Sequence, residues 1–287
     1  MKCYVCDGLC DIDVIQSEYK YWKCTNCFTS QVLPRPAQDI LKTYYDSYHL
    51  SDAQGGVYDQ FEHRMREDFA AKVILVKKYS PIKKPHLLDV GCGKGFFVKE
   101  ARDNDIVAQG IDLSESGISH AVDILGVPAR VGKMEDQTDG DWKEKFDVIT
   151  FWATIEHLPD PHLTLDAIYK CLKPNGIVIM DTGLGNHHLE KFLPGYNQWY
   201  IAPEHLFVFS EIGLVSLVRK AGFKVIFVNE NFERSYFRKI IRAFRHDLIC
   251  LAAGLLLGPL LGKRSRFKMK REAKWAIGNL ITVVCQK

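Results

Sequence analysis

The stretch LLDVGCGKGFF, Leu87–Phe97, decides the fold of this chain. An acidic residue, Asp89, closes an apolar run, and Gly91, Gly93 and Gly95 follow before a second apolar run begins. Glycines let the backbone turn sharply and approach a ligand closely, and a helix that opens beneath the turn points its amide groups at that ligand. The spacing G-x-G-x-G differs from the G-x-G-x-x-G of dinucleotide-binding turns. The stretch therefore predicts a strand, a ligand-binding turn and a helix.

Strand and helix patterns alternate on the carboxyl side of this turn. Strands are predicted at HLLDV, IVAQGID, VPARVG, FDVITFW, GIVIMDT, FKVIFVNE and NLITVVCQK. Their order predicts an α/β protein, with a parallel sheet covered by helices on both faces. Ligands of such sheets bind at the carboxyl ends of the first strands, and Asp112 in GIDLS is placed there to accept the hydroxyl groups of a ribose.

Four motifs in this order, LDVGCGKG, GIDLS, FDVITFWATIEHLPDP and LKPNGIVIM, resemble those of class I S-adenosylmethionine-dependent methyltransferases, most closely the ubiquinone-biosynthesis type. The resemblance spans Leu87 to Asn229 and the last strand. It implies a seven-stranded Rossmann-like methyltransferase sheet that binds S-adenosylmethionine. The residues that it implies at the cofactor are Asp89, Gly91, Gly93 and Gly95 at the methionine part, Phe151 and Trp152 beside the sulfonium, Asp112, followed by Leu113, at the ribose, and Met134 and Glu135 near the adenine.

The acceptor side is less uniform in the resembling group. This chain has FWATIEHL where enzymes that methylate base nitrogens carry an Asp/Asn-Pro-Pro-aromatic clamp, so that reaction is disfavoured. Glu156 and His157 match a Glu-His pair common in the group, where shaping the floor of the cofactor site is the simpler interpretation. A long aromatic stretch, residues 186–210, is typical of a functional lid.

A hydroxyl acceptor would be helped by a base that titrates near neutral pH, which histidine provides. His205, in PEHL, is the first candidate for this catalytic base, and His157 is the second. The alternative for His205 is a hydrogen bond within the lid.

The first 27 residues hold five of the nine cysteines. Cys3, Cys6, Cys24 and Cys27 form two C-x-x-C pairs separated by 17 residues, the pattern of two knuckles that bind tetrahedral zinc. We expect a structural zinc ribbon at residues 1–36, the alternative being unligated core cysteines. Cys10 is expected to be a packed thiol without a ligand role.

The net charge of +3 hides a local excess of basic residues. Residues 234–274 hold 12 Lys or Arg against two acidic residues, which is +10, and the rest of the chain is therefore −7. The apolar stretch LICLAAGLLLGPLLG, Leu248–Gly262, lies inside this segment. As a helix it would span about 22 Å, short of the hydrocarbon core of about 30 Å. Its basic flanks, within residues 238–271, favour peripheral binding to an anionic membrane surface, with a cap over the site or a dimer contact as the alternatives.

These patterns predict five segments: a zinc ribbon (1–36), an N-terminal helical cap (37–84), the cofactor-binding core (85–233), the basic and apolar insertion (234–274) and the last core strand (275–287). The expected function is methylation of a small-molecule or lipid-linked intermediate, most simply on oxygen. The start of the chain lacks a signal-peptide pattern, which favours a cytoplasmic location, on the inner face of the membrane if the insertion binds there.

Three alternatives stay open on the sequence alone. The first is an RNA methyltransferase that reads its substrate with the ribbon; five acidic against four basic residues in the first 39 disfavour it, so nucleic acid is an unlikely partner. The second is a non-catalytic scaffold, and the third is sugar C-methylation. The identity of the acceptor and the oligomeric state are not predicted.

Overall fold

The computed structural model describes residues 1–16, 18–37, 40, 57–138, 140–185, 199–231 and 279–287; for residues 57–66, 230, 231 and 279 it describes the backbone only. The insertion at 234–274, with its predicted membrane-binding stretch, lies outside these ranges, as does the first part of the predicted lid. No helix within the described ranges combines the length and the apolar character needed to cross a bilayer.

The amino-terminal region forms a small antiparallel sheet from β1 (Cys10–Gln16), β2 (Tyr19–Cys24) and β3 (Ser30–Leu33). A fourth strand, β9 (Phe207–Val208), comes from much later in the chain and completes the order β1-β2-β3-β9. Tyr21 and Val32 are fully buried inward-facing residues of this sheet. The sheet of the predicted ribbon is therefore continuous with the segment that carries His205.

The rest of the described chain forms the α/β core. Its elements are α1 (Val57–Tyr79), β4 (His86–Val90), α2 (Phe96–Asp103), β5 (Val107–Asp112), α3 (Glu115–Ser119), β6 (Ala129–Val131), β7 (Phe146–Trp152), α4 (Pro161–Cys171), β8 (Leu172–Leu184), α5 (Glu211–Lys220), β10 (Lys224–Asn231) and β11 (Asn279–Gln286). The sheet order is β10-β11-β8-β7-β4-β5-β6, with parallel pairing from β8 to β6 and antiparallel pairing of β11 with both neighbours. The predicted fold class, an α/β protein with a seven-stranded Rossmann-like sheet, is confirmed.

Apolar residues on both faces of the sheet hold this core together. Strand β7 is buried at every position but its last, because helices cover it on both sides. Leu165 of α4 and Leu214 of α5 pack on one face, whereas Val76 of α1 and Val98 of α2 pack on the other. Full burial of one such side chain contributes about 1.5 to 3 kcal/mol.

Side-chain caps explain where three of the helices begin. Ser114, Asp160 and Ser210 precede α3, α4 and α5, and each side chain accepts the amide of the residue three positions later. The helical segment after β5 is not uniform, because α3 continues into a wider π-helical turn at His120–Ile124. It nevertheless lies between two strands of the sheet, as the alternation of strand and helix patterns predicts.

Candidate active site

The glycine turn after β4 needs its glycines for backbone geometry and for space. Gly91, Gly93 and Gly95 all have positive φ angles, of 72°, 51° and 81°. A Cβ atom on Gly91 would lie 2.6 Å from the side chain of Thr154, and one on Gly95 would lie 2.6 Å from Cβ of Ala121. Because Thr154 follows β7, the turn is in contact with the loop that carries Glu156 and His157.

Asp112 at the end of β5 holds this turn in place. One carboxylate oxygen accepts the amide of Gly93 at 2.8 Å, and the other accepts the amide of Ser114 at 2.8 Å. Each oxygen has a further lone pair available for a hydroxyl group. The side chain can therefore organise the turn and accept hydrogen bonds from a ribose at the same time.

Asp89 at the end of β4 is buried and 2% exposed. The hydroxyl of Thr150 on β7 donates to it at 2.7 Å. Burial raises the pKa of Asp89 to about 7, opposed by the Thr150 hydrogen bond and by the cation of Lys72. A bound positive group would offset the cost of keeping this carboxylate charged.

Two charged residues that the sequence analysis did not single out lie beside Asp89. Nζ of Lys72 on α1 is 3.1 Å from a carboxylate oxygen of Asp181 on β8 and 4.8 Å from the centre of the Trp152 ring. The other carboxylate oxygen of Asp181 accepts the amide of Ala153 at 2.8 Å. Burial disfavours the charged form of Lys72, but Asp181 and Asp68 outweigh it and raise the pKa of Lys72. Carboxylates and an indole face thus favour a positive charge at this edge of the sheet.

The other residues predicted at the cofactor occupy different surroundings. Phe151 is fully buried in the core, on the face of the sheet opposite to Trp152. Met134 is buried, and the carboxylate of Glu135 accepts a hydrogen bond from the hydroxyl of Thr164 on α4. Leu113, 53% exposed, projects from the loop after β5. Of Phe151 and Trp152, it is Trp152 whose ring packs beside Lys72.

The described atoms fit the cofactor that the motifs imply. Asp112 and the glycine turn provide a cradle that side chains at Gly91 or Gly95 would fill. Nε1 of Trp152 is buried without a hydrogen-bond partner among the described residues, so a polar group is available to a ligand. The carboxylates of Asp68 and Asp181 are already paired with the ammonium of Lys72, which lies over the Trp152 ring.

Both candidate bases lie in one cluster with Glu156. The ligating atoms of Glu156, His157 and His205 lie within 4.8 Å of one another, and the two imidazole rings are 4.8 Å apart between centroids. The ring of Trp199 stacks on His205 at 5.9 Å. The ring of Trp199 also packs against Gly183, where a side chain would have no room.

Hydrogen bonds to the backbone orient both histidines. Nδ1 of His157 donates to the carbonyl of Glu204 at 2.9 Å, and Nδ1 of His205 donates to the carbonyl of Trp199 at 2.8 Å. This tautomer leaves Nε2 of His205 as a hydrogen-bond acceptor or a ligand atom. Burial lowers the pKa of His157 and of His205, which favours neutral rings.

Glu156 is an unusual carboxylate. It is 2% exposed, and neither oxygen has a hydrogen-bond partner among the described residues. Burial raises the pKa of Glu156 to about 7, opposed mainly by the neighbouring His205. A buried charged carboxylate is costly, and the raised pKa of Glu156 favours its neutral form in these surroundings.

The four cysteines of the predicted ribbon lie together. Sγ of Cys3 is 3.6 Å from Sγ of Cys27, and Sγ of Cys6 is 3.5 Å from Sγ of Cys24. Amide groups of Asn26 and Cys27 point at Sγ of Cys24, both at 3.4 Å. These separations suit four thiolates at about 2.3 Å from one zinc ion.

The ribbon sheet supports the segment that carries His205. The hydroxyl of Tyr21 on β2 donates to the carbonyl of His205 at 2.8 Å. Nε2 of Gln16 donates to the carbonyl of Tyr200, and the hydroxyl of Tyr200 donates to Asp13, both at 2.8 Å. The ribbon sheet is therefore joined to the segment that carries His205 and is not a separate appendage.

The sheet order, the glycine turn and the acid that ends β5 define the class I S-adenosylmethionine-dependent methyltransferase fold. The model of a methyltransferase domain family matches residues 61–228, and the chain belongs to that family.

Two curated relatives are ubiquinone biosynthesis O-methyltransferases. The chain is similar to that of Alkalilimnicola ehrlichii, 31% identical over 139 residues, which cover 42% of this chain and 56% of the relative. The enzyme of Neisseria meningitidis serogroup C is 29% identical over 149 residues, 45% of this chain and 62% of the relative. The chain thus spans little more than half the length of the relatives that it matches.

Solved structures support the fold. The 1,6-didemethyltoxoflavin-N1-methyltransferase of Burkholderia thailandensis, solved with S-adenosylhomocysteine, superposes with a TM-score of 0.56 at 14% identity. The match covers 96% of this chain and 99% of that structure. At this identity the likeness concerns the fold alone.

Proposed function

We propose that this protein transfers a methyl group from S-adenosylmethionine to a hydroxyl group of a small-molecule or lipid-linked intermediate. The observation that carries the proposal is the buried cluster of Glu156, His157 and His205 in the loops beside the glycine turn. Groups of this kind suit the handling of a hydroxyl proton. The curated relatives are named as O-methyltransferases, which supports oxygen as the acceptor atom.

In this proposal the chain's own residues hold the cofactor by charge and shape. Asp112 binds the ribose, the glycine turn and Asp89 contact the methionine part, and Trp152 lies beside the sulfonium. When bound, S-adenosylmethionine supplies a methyl carbon that accepts an electron pair from the acceptor oxygen, while the carbon–sulfur pair returns to sulfur. The protein aligns the two reactants and keeps water away.

In this proposal, His205 is the first candidate to accept the proton that the acceptor hydroxyl loses, and His157 is the second. Trp199 and Gly183 form an apolar wall beside His205. An RNA acceptor is not favoured, because the ribbon sheet is used to support this wall and carries no excess of basic residues.

We also propose that Cys3, Cys6, Cys24 and Cys27 bind a structural zinc ion. Their Sγ separations and the two amide groups directed at Cys24 support this assignment. The zinc would fix β1, β2 and β3, and through them the segment 199–209.

Replacing Asp112 with alanine is expected to weaken S-adenosylmethionine binding more than tenfold. The change removes charge-assisted hydrogen bonds worth about 1.5 to 3 kcal/mol each and also releases the amide of Gly93. Isothermal titration calorimetry measures the change. Asp103→Ala, at the end of α2 away from the turn, is the matched control and should bind like the wild type. Wild-type affinity in Asp112→Ala would remove this residue from the cofactor site.

Membrane association of the segment 234–274 is proposed from its sequence alone. The intact protein is expected to sediment with anionic liposomes at low salt and to dissociate as salt rises, because each cation near the surface contributes about 1 kcal/mol. Replacing residues 248–262 with a short glycine-serine turn should abolish binding. An intact protein that stays in the supernatant at low salt would assign the stretch to a cap or an interface.

A further inference from the structure

We propose that the cleft between the ribbon sheet and α4 binds the phosphate group of an organic phosphate ester, with Arg35 as its main contact. The inference goes beyond the proposed function and depends on neither the methyl donor nor the methyl acceptor. The residues that line the cleft include none of those predicted to bind S-adenosylmethionine and none of the cluster formed by Glu156, His157 and His205. The cleft is therefore a second site.

The first argument is the size and lining of the cleft. Its volume is about 670 Å³, within the range of about 300 to 1,000 Å³ that is usual for small-molecule sites. Residues of the ribbon form one side, and residues near the start of α4 and the end of α5 form the other. Polar and basic side chains line both sides, namely those of Lys2, Tyr4, Gln31, Arg35, His162 and Lys220. A ligand in the cleft would contact the ribbon and the core at once.

The second argument is the state of Arg35. Its Cζ atom lies 4.2 Å from the centre of the Phe207 ring and 5.3 Å from that of Tyr4, so aromatic contacts hold the guanidinium in place. Nη1 is buried and has no hydrogen-bond partner among the described residues. Burial lowers the pKa of Arg35, opposed by the neighbouring Tyr4 and Asp160. A largely buried guanidinium with an unpaired donor is costly, and an anion in the cleft would offset this cost.

The third argument is that the acidic residues of the cleft are already engaged. A carboxylate oxygen of Asp7 pairs with Nζ of Lys220 at 3.1 Å. Asp160 caps α4, since its Oδ1 accepts the amide of Leu163 at 3.0 Å. The positive charges of Lys2 and Arg35 are therefore available to an anion.

Hydrogen bonds hold the rim of the cleft in place. Gln31, buried on β3, accepts the amide of Tyr4 at 2.9 Å and donates from Nε2 to the carbonyl of Lys2 at 3.0 Å. Nε2 of His162 donates to the carbonyl of Tyr4 at 3.1 Å. This bond leaves Nδ1 of His162 for a ligand, and Nδ1 becomes a donor when the ring is protonated. The rim is thus ordered before a ligand enters, which lowers the entropic cost of binding.

These groups favour phosphate as the anion. A guanidinium presents its N–H groups in a fork that matches two phosphate oxygens. A phosphate monoester carries about −1.5 to −2 charges at neutral pH, which the two cations of Arg35 and Lys2 balance together. The cleft is larger than a phosphate ion, so the organic part of the ester would fill the remaining volume. A soluble ester or a lipid head group can supply this chemistry.

Calorimetry of the full-length, zinc-loaded protein in phosphate-free buffer tests the site. The probes are inorganic phosphate, glucose 1-phosphate and the short-chain lipid dihexanoyl phosphatidate, used as a monomer. We expect saturable binding at one site per chain. Arg35→Gln should weaken binding at least about tenfold, the scale for losing a charge-assisted hydrogen bond. Arg219→Gln removes an equal charge from an exposed position on α5 that does not line the cleft, and this control should bind like the wild type.

A second variant keeps the test decisive if Arg35→Gln does not fold. Lys2 is exposed, so Lys2→Gln leaves the aromatic contacts of Arg35 intact and should weaken binding about threefold, the scale for an exposed ionic contact. Tighter binding of glucose 1-phosphate than of the phosphatidate would assign a soluble ester, and the reverse would assign a lipid head group. No saturable binding of any probe at millimolar concentration, or wild-type affinity in both variants, would overturn the site.

S-adenosylmethionine binding is measured on the same samples, which separates this inference from the proposed function. Normal binding of S-adenosylmethionine without binding of any phosphate probe would reject the phosphate site alone. Phosphate binding that depends on Arg35, in a wild-type protein that does not bind S-adenosylmethionine, would support the site and reject the methyltransferase proposal.

Discussion

Replacing His205 with alanine is expected to lower methyl transfer about a hundredfold or more, the usual scale for losing a group that handles a proton in the transition state. A hundredfold corresponds to about 2.7 kcal/mol in the activation barrier. The imidazole is buried, oriented by the carbonyl of Trp199 and close to Glu156. Transfer of labelled methyl to an acceptor that the wild type methylates is the measurement.

Cofactor affinity should not change in this variant, because His205 is predicted to act on the acceptor and not on S-adenosylmethionine. His86→Ala is a suitable control, since His86 is exposed at the amino end of β4, at the opposite edge of the sheet. Turnover close to the wild-type rate in His205→Ala would move the role to His157 or away from both histidines.

Replacing Cys24 with serine is expected to remove the zinc and much of the soluble protein together. Structural zinc contributes about 10 to 16 kcal/mol of apparent binding free energy in small zinc modules. That is comparable with the whole stability of a typical domain, about 5 to 15 kcal/mol. Because β3 pairs with β9 and Tyr21 donates to His205, the loss should also disorder the acceptor wall. Metal analysis and the soluble yield measure the effect.

Cys10→Ser provides the comparison within the same sheet. Cys10 is buried in β1 but is not one of the four clustered thiols, so the variant should keep one zinc per chain. Any soluble Cys24→Ser protein is expected to methylate more slowly while retaining affinity for S-adenosylmethionine. A Cys24→Ser protein that is soluble with a full equivalent of zinc would contradict the assignment of this ligand.

The core could be predicted from the sequence because its strands are buried on both faces. A run such as FDVITFW has no alternating polar face that could lie in solvent, and β7 is indeed buried at all positions but the last. The glycine turn could also be predicted from the sequence. The φ angles of Gly91, Gly93 and Gly95 are positive, a conformation that few other residues adopt, so the glycines mark the turn. Local patterns therefore determined both the sheet and the turn.

Contacts between residues far apart in the chain could not be predicted from local sequence patterns. Strand β9 has two residues, too few for a periodic pattern, and its pairing with β3 joins positions far apart in the chain. Lys72 belongs to an ordinary amphipathic helix, and only the fold brings it to Asp181. Asp181 itself carried a usable signal, since it interrupts the apolar run GIVIMDT near its end as Asp89 does in HLLDV.

The candidate acceptor site was predicted in its parts and not in its arrangement. His205 and His157 were named as separate bases from residue type alone, yet their rings lie 4.8 Å apart with Glu156 beside them. The sequence does not indicate that these residues lie together. Glu204, whose carbonyl orients the ring of His157, is 47 positions away from it in the chain. The missing information was the path of the segment 199–209 across the ribbon sheet.

Titration of the intact protein with S-adenosylmethionine, and in parallel with NAD, tests the central claim most directly. Both ligands contain an adenosine, and an acidic residue at the end of β5 could bind the ribose of either one. Comparing the two ligands therefore distinguishes a methyltransferase from a dinucleotide-binding protein with a similar sheet. We expect saturable heat with S-adenosylmethionine and none with NAD at the same concentrations. Tight binding of NAD, with no response to S-adenosylmethionine, would contradict it.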